Sequence, residues 1–490
     1  MSFLWTVWVY LNIELILLFL ISYVMILYLF NKWLKYNYTD IILICVYFFL
    51  IMIFIAFIPI IKLEGIYFIF NNYFICSEHI ILAKKFLLIL ILFYFVMLHN
   101  YFSIQKLPIF EYLVLILISL FSILIIMQSN HLFLTFIFIE LLNLCIYCLL
   151  GINKNSNKGI ESAFKYFIQS AFATIIGFFG ISLIYFTTGS LFLHELGILV
   201  LNIDLNWITI VGIYFIMVSI FFKLGIFPLH SWVPEVYQGS IFISLIFIAI
   251  FPKIAYIILF FRLYYEFNII IKIFCLIFSG ISIIYGSIIT LYQISFRRLL
   301  AYGSMVHIGL MVFSISLYTI DSIVAGFFYL IIYLTLMLFI FAFMLFLFEK
   351  NNNEIVVIDD ISQISMKISN NFLLSNFFVF ILFSLSGLPF FIGFISKWYI
   401  FINILNIYNI STVIIFLCVS ILSAAYYIRI IRFFFFLQKR DIKSKIYSKI
   451  IYDTSLYHLI IILFCLNIFL IFFHNIIYLI ILKKIIIWFI

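Results

Sequence analysis

Apolar runs of about twenty residues follow one another from end to end of the chain, separated by short polar connections. Each is long enough to cross roughly 30 Å of hydrocarbon as a helix, the form in which a backbone in lipid satisfies its own hydrogen bonds. Fourteen spans are predicted, at about 10–31, 41–61, 83–103, 109–128, 132–151, 161–187, 207–233, 240–261, 268–291, 298–319, 322–348, 372–404, 411–436 and 455–481. The opening run, "MSFLWTVWVYLNIELILLFL", lacks the basic segment and small-residue cleavage site of a signal peptide and reads as the first span, retained. The longest polar connections are predicted at 349–371 and 437–454. The second is net positive beside a membrane, which suits anionic lipid headgroups. The fold class implied is an all-α polytopic membrane protein.

Two spans, 7 and 12, are unusually long and hold a proline, Pro228 and Pro389. Proline removes a backbone hydrogen bond and clashes with the preceding turn, so both spans should be discontinuous. They lie five spans apart and therefore cross in opposite directions. That is the pattern of inverted repeats with broken helices, spans 4–8 against spans 9–13. The expected organisation is an N-terminal three-helix segment (1–105), a first repeat (106–265), a second repeat (266–437), and a basic loop with helix 14 (438–490). An incidental kink is the competing reading of each proline.

Composition excludes a soluble domain. With 68% hydrophobic and 9% charged residues, and a mean hydropathy of +1.35, a soluble surface of this size could not be solvated. The net charge of +9 does not point to nucleic acid, because the charges sort by loop. Of the 27 Lys and Arg residues, sixteen fall in odd-numbered loops and seven, among them Lys84, Lys85 and Arg262, in even-numbered loops and the C-terminal tail. The positive-inside rule then places the odd loops in the matrix or cytoplasm, with both termini on the opposite side. The seven cysteines form no ligand cluster; Cys145 and Cys148 are spaced C-x-x-C inside an apolar span and read as packed small hydrophobes. No redox cofactor is expected in this chain. The abundance of Phe (66 residues) and Ile, both with AT-rich codons, suggests an organellar genome.

Four lysines remain inside the spans: Lys165, Lys223, Lys253 and Lys397. An ammonium at the bilayer centre costs roughly 2.5–3.5 kcal/mol on insertion scales, so these should face the bundle interior. Snorkelling to the interface is the competing reading for Lys165, five residues into its span. Two carboxylates lie within spans. Glu14 is close enough to the end of span 1 to reach the interface, whereas Glu140 is mid-span and should be protonated or paired. Burial disfavours a charged lysine and a nearby carboxylate favours it. A Glu140–Lys223 separation that changes between two states would therefore let the lysine load a proton on one side and release it on the other. His307 in span 10 and His230 after the break in span 7 are candidate relays, with a satisfied structural histidine the alternative for each. His458 and His474, without titratable company in their span, read as structural.

These residues stand in a recognisable order. "FIELLNLCIY", "ESAFKYFIQSAFAT", "FKLGIFPLHSWVPEVYQGS", "FPKIAY", "GSIITLYQISFRRLLAYGSMVHIG" and "SLSGLPFFIGFISKWYIF" resemble subunit 2 of NADH dehydrogenase, one of the antiporter-like proton-pumping subunits of respiratory complex I. The resemblance covers roughly residues 130–400. It implies fourteen helices in two inverted five-helix repeats and a proton-translocating role within NADH:ubiquinone reductase. By motif, Glu140 and Lys223 would form the input ion pair, Lys165 the additional lysine of helix 6, Lys253 the connecting lysine, His307 a central relay and Lys397 the terminal group near the exit. NADH, flavin, iron–sulfur clusters and ubiquinone would be handled by other subunits. The implied partners are the other membrane-arm subunits, including neighbouring antiporter-like ones, and membrane lipids. The implied location is the mitochondrial inner membrane, with a bacterial plasma membrane as the alternative. The chain departs from the pattern in "LPFF" of span 12, in "QGSIF" after span 7 and in "AYGS". A subunit of a multisubunit cation/proton antiporter would share the Glu–Lys pair and the broken helices, and stands as the alternative function.

Overall fold

The computed structural model describes residues 13–28, 38–57, 66–102, 108–153, 156–202, 206–346, 349–351, 354–356, 372–407, 410–436 and 454–489. Within them the chain is almost entirely helical. In order the helices are α1 (Ile13–Tyr28), α2 (Tyr38–Phe57), α3 (Glu78–Phe102), α4 (Ile109–Gln128), α5 (Leu132–Gly151), α6 (Asn157–Thr188), α7 (Leu193–Asn202), α8 (Trp207–Leu224) and α9 (Trp232–Gly239). There follow α10 (Phe242–Tyr292), α11 (Phe296–Ser316), α12 (Ile320–Phe346), α13 (Phe372–Ser386), α14 (Ile392–Ile407), α15 (Ile410–Phe436), α16 (Thr454–Phe472) and α17 (His474–Phe489). Every predicted span finds a helix, and α4 and α5 keep the predicted bounds.

The 51 residues of α10 are two spans joined at Phe267, whose φ of −116° and ψ of 18° leave the helical region. The chain doubles back there. Arg297, just beyond the end of the second half, donates from Nη1 to the Ser240 carbonyl at the start of the first, at 3.1 Å. Phe260 and Phe274, placed symmetrically about Phe267, both lie against Phe221, with ring centroids 6.2 and 5.4 Å away.

Spans 7 and 12 are broken as their prolines required, and the two breaks share one construction. At the first, Gly225 adopts φ +72°, its N–H meets the Phe222 carbonyl, and the Ile226 N–H reaches back to Phe221, both at 3.0 Å. At the second, Gly387 adopts φ +78°, its N–H meets Ser384 at 3.2 Å, and Leu388 reaches back to Phe383 at 3.3 Å. Both are Schellman terminations, in which a left-handed glycine lets the chain leave the helix while satisfying the last carbonyls. A proline follows within three residues and prevents resumption. The broken element is fourth among the five spans of each half, α8/α9 in one and α13/α14 in the other.

Helix α12 is apolar on every face and buried nearly throughout, the behaviour of a central pillar. It packs against α3, α10, α11, α13, α14, α16 and α17. Helix α6 instead turns Phe164, Ile168, Phe172 and Ile175 outward, as a lipid- or subunit-facing helix does. Its other face meets α8 closely: a Cβ on Gly180 would stand 2.6 Å from the Gly212 carbonyl oxygen. Small residues of this kind let membrane helices approach each other.

Several features lay outside the predicted pattern. A hairpin of β1 (Tyr67–Ile69) and β2 (Phe74–Cys76) precedes α3, and β3 (Glu349–Asn351) pairs with β4 (Glu354–Val356) in the long polar connection. Span 14 divides between α16 and α17 and continues to Phe489. Span 3 begins earlier than predicted, so Lys84 lies inside α3 rather than in a loop. The basic connection at 437–453 lies outside the described residues.

Candidate functional site

The break in span 7 ends α8 one residue after Lys223, and that in span 12 ends α13 beside Lys397. A helix C-terminus carries partial negative charge on its unsatisfied carbonyls, so each half-helix presents to an ammonium the end that stabilises it. Lys397, on α14, donates to the Ser386 carbonyl at 2.8 Å and to the hydroxyl of Ser423 on α15 at 3.1 Å. A Cβ on Gly387 would stand 2.9 Å from the Lys397 Nζ, so this glycine supplies both the left-handed turn and the space the lysine occupies. At the other break, the Trp232 indole donates to the Phe222 carbonyl at 2.8 Å, the same oxygen that accepts from the Gly225 N–H.

Lys223, Lys253, Lys397 and His307 are all buried. Lys223 does not touch Glu140 directly. Asn143, one turn along α5 from Glu140, stands between them: its Nδ2 donates to Glu140 Oε2 at 2.9 Å, and its Oδ1 accepts from Lys223 Nζ at 2.9 Å. The expected ion pair is therefore bridged by an amide, which passes polarisation between the two charges without neutralising them by contact.

From Lys223 the polar groups continue inward. Lys223, Lys253, Tyr166, Tyr237, Tyr256 and Ser304 line one cavity. Pro252 borders it as well, and since proline lacks an N–H, the Ile248 carbonyl one turn back has no intrahelical donor there. Lys253 donates to Tyr237 at 3.1 Å and to Tyr333 at 3.4 Å. The Tyr333 ring lies 4.9 Å from that of His307, whose Nδ1 is 2.6 Å from the Tyr329 hydroxyl and whose Nε2 is 3.4 Å from that of Tyr427. His307, Tyr329, Tyr333, Ser384 and Lys397 line a second cavity. Glu140, Asn143, Lys223, Lys253, Tyr333, His307 and Lys397 thus form one connected polar axis through an apolar bundle.

Two expected members stand elsewhere. Lys165 does not point into the bundle: it is 44% exposed near the start of α6, paired with Glu161 at 2.8 Å and with Glu235 of α9 at 3.2 Å. As the ninth residue of α6 it still reaches polar surroundings, as snorkelling permits. His230 sits in the first break among aromatic rings, 4.9 Å from Tyr285 and 5.8 Å from Phe227 by centroid. Glu14, expected to reach the interface, is instead buried against Lys84.

The axis contains Asn143, Tyr237, Tyr329, Tyr333 and Tyr427, none of which the sequence reading singled out. A signal was present for some of them: Asn143 lies three residues from Glu140 on the same helical face, and Tyr329 and Tyr333 are spaced i, i+4 in an otherwise apolar span.

Comparison with known proteins agrees with this architecture. Residues 129–423, well over half of the chain, match the family model for membrane subunits of NADH:quinone oxidoreductase and the Mrp antiporter. NADH-quinone oxidoreductase subunit N of Pelagibacter ubique is 35% identical over 70% of this chain and 72% of its own length. The subunit N of Coxiella burnetii is 29% identical over 75% and 77%. In fold, the chain resembles one in respiratory complex I from Thermus thermophilus with TM-score 0.77 and 20% identity, over 95% of this chain and 98% of that one. It resembles one in the Mrp complex of Dietzia with TM-score 0.80 and 16% identity, over 96% of each. The chain is a multi-pass membrane protein that belongs to the antiporter-like family shared by NADH:quinone oxidoreductase and Mrp, with subunit N of NADH-quinone oxidoreductase among its relatives.

Proposed function

We propose that this chain is a proton-translocating membrane-arm subunit of a respiratory complex I, coupling NADH:quinone oxidoreduction carried out by other subunits to proton movement along the buried axis. The observation that carries the reading is the continuity of that axis from Glu140 through Asn143, Lys223, Lys253, Tyr333 and His307 to Lys397. Four buried titratable side chains at bilayer depth are costly to maintain, which argues for a use. Moving one proton against roughly 150 mV takes about 3.5 kcal/mol. A change in the spacing of one buried charge pair is of that order.

In this reading Glu140, through Asn143, sets the proton affinity of Lys223. Lys253 passes the proton on by way of tyrosine hydroxyls, His307 relays it, and Lys397 is the terminal group. Lys165 with Glu161 and Glu235, and His230 at the break, lie where the axis meets the lysine-rich side. NADH, flavin, iron–sulfur clusters and quinone belong to partner subunits. The two halves, 106–265 and 266–437, act as inverted repeats, each lending one broken helix. The finer assignment is to subunit 2 of an organelle-encoded complex in the mitochondrial inner membrane, supported by the Phe- and Ile-rich composition. The named relatives are bacterial, which supports the plasma-membrane alternative.

The likeness to the Mrp chain supports a second reading, cation/proton exchange. Lys253→Met in the assembled complex tests the first. Protons moved per NADH oxidised should fall while the complex still assembles, and wild-type proton movement would refute a carrier role. Sodium-driven proton exchange in vesicles without NADH would favour the second reading.

A further inference from the structure

The proton axis leaves one buried charged cluster unused. On the side of the bundle opposite the lysine-rich loops, Glu14 of α1, Lys84 of α3 and Gln128 of α4 meet in the interior. Lys84 Nζ donates to Glu14 Oε1 at 2.5 Å and to Gln128 Oε1 at 2.6 Å, with Glu14 and Lys84 4% and 3% exposed. One residue before Gln128, the Met127 carbonyl accepts from Arg262 Nη1 at 3.0 Å. Arg262 is 1% exposed and stands nine residues beyond Lys253 on the same helix, between the proton axis and this end of the bundle.

A structural staple is expected to satisfy every polar atom, since a half-satisfied buried network is worse than an apolar one. This cluster does not. The second oxygen of Glu14 and the Nε and Nη2 of Arg262 are buried and have no hydrogen-bond partner among the described residues. An acceptor on one side and donors on the other can be joined through water, which occupies buried sites where several polar groups converge.

We propose that Glu14, Lys84 and Gln128 form a second proton-exchanging site, linked through Arg262 to the helix that carries Lys253 and serving the side of the membrane opposite the lysine-rich loops. A hydronium ion carried by the bridging water gives its proton to the free oxygen of Glu14. One O–H bond of the hydronium breaks, one O–H bond forms on the carboxyl, which becomes neutral, and Arg262 stays protonated and only orients the water. Lys84 keeps its charge, held by the Gln128 oxygen, and its repulsion returns the proton to the adjacent aqueous phase. No electron moves, and no other bond is made or broken. The proposal rests on the proton-translocating reading above.

The test uses the intact complex in sealed vesicles, with Glu14→Gln compared with Lys223→Met. Glutamine keeps the size and the acceptor for Lys84 but cannot exchange a proton. The expected result is loss of proton movement per NADH oxidised in the assembled Glu14→Gln complex, with quinone reduction retained. Wild-type proton movement in Glu14→Gln, with loss in Lys223→Met, overturns the second site alone. Wild-type movement in both overturns the underlying reading as well. Should Glu14→Gln fail to assemble, the wild-type complex decides the matter by reaction with an apolar carbodiimide, which adds to protonated carboxyl groups. Mass spectrometry should find Glu14 modified, and an unmodified Glu14 would mark a permanently ionised staple.

Discussion

At the scale of single residues, the least expected participant is Asn143. A direct Glu140–Lys223 contact would hold the lysine charged in one state; an amide between them gives a link that a small rotation makes or breaks. Hydrogen bonds to charged groups contribute about 1.5–3 kcal/mol. Asn143→Ala should therefore slow coupled turnover by about tenfold or more. Complex yield should stay near wild type, because alanine suits a helix interior. Parallel assays of NADH oxidation and complex yield check this, and unchanged coupled turnover would make the bridge incidental. The titratable residues were legible from hydropathy alone, since a lysine, a glutamate or a histidine amid twenty apolar residues is conspicuous. Their partners were not. Tyrosine belongs equally to an apolar span and to a hydrogen-bonded chain, so Tyr333 becomes distinct only once Lys253 and His307 converge on it.

At the scale of elements, both breaks were legible from proline, but their purpose was not. Sequence showed Pro228 and Pro389; the structure adds that each half-helix ends on a left-handed glycine, with Lys223 in the last turn of α8 and Lys397 hydrogen-bonded to the last carbonyl of α13. Gly387→Ala tests this arrangement. A left-handed alanine costs about 1–2 kcal/mol. The added methyl would also displace Lys397 from its place beside Ser386. Pumping should fall more than thermal stability does; loss of stability with undiminished pumping would show that the glycine serves the turn alone. The elements missed in the sequence include the two short hairpins, β1–β2 and β3–β4, whose three-residue strands are too brief for an alternation to register, and the early start of span 3. Lys84 inside span 3 is held by Glu14, 70 residues away, and no window of neighbouring residues reveals that pairing. The hairpin at Phe267 was placed correctly between spans 8 and 9, because two apolar stretches flank a short polar one there.

At the scale of the whole molecule, the described residues form a bundle in which a mostly apolar exterior and the buried helix α12 enclose a line of polar side chains. Glu140 lies at one end of that line, half-buried, beside the outward-facing Ile137 and Leu144 of α5. Lys397 lies at the other end, beside Ser423 of α15. The central claim is that this line carries protons, and Lys223, in the last turn before the first break and hydrogen-bonded to Asn143, is the member that joins Glu140 to the rest of it. The most direct measurement is Lys223→Met in the intact complex, with NADH-driven quinone reduction and proton uptake into sealed vesicles recorded together. The account predicts an assembled complex in which proton uptake falls and coupled turnover drops. Wild-type levels of both would contradict it and make the buried lysine structural.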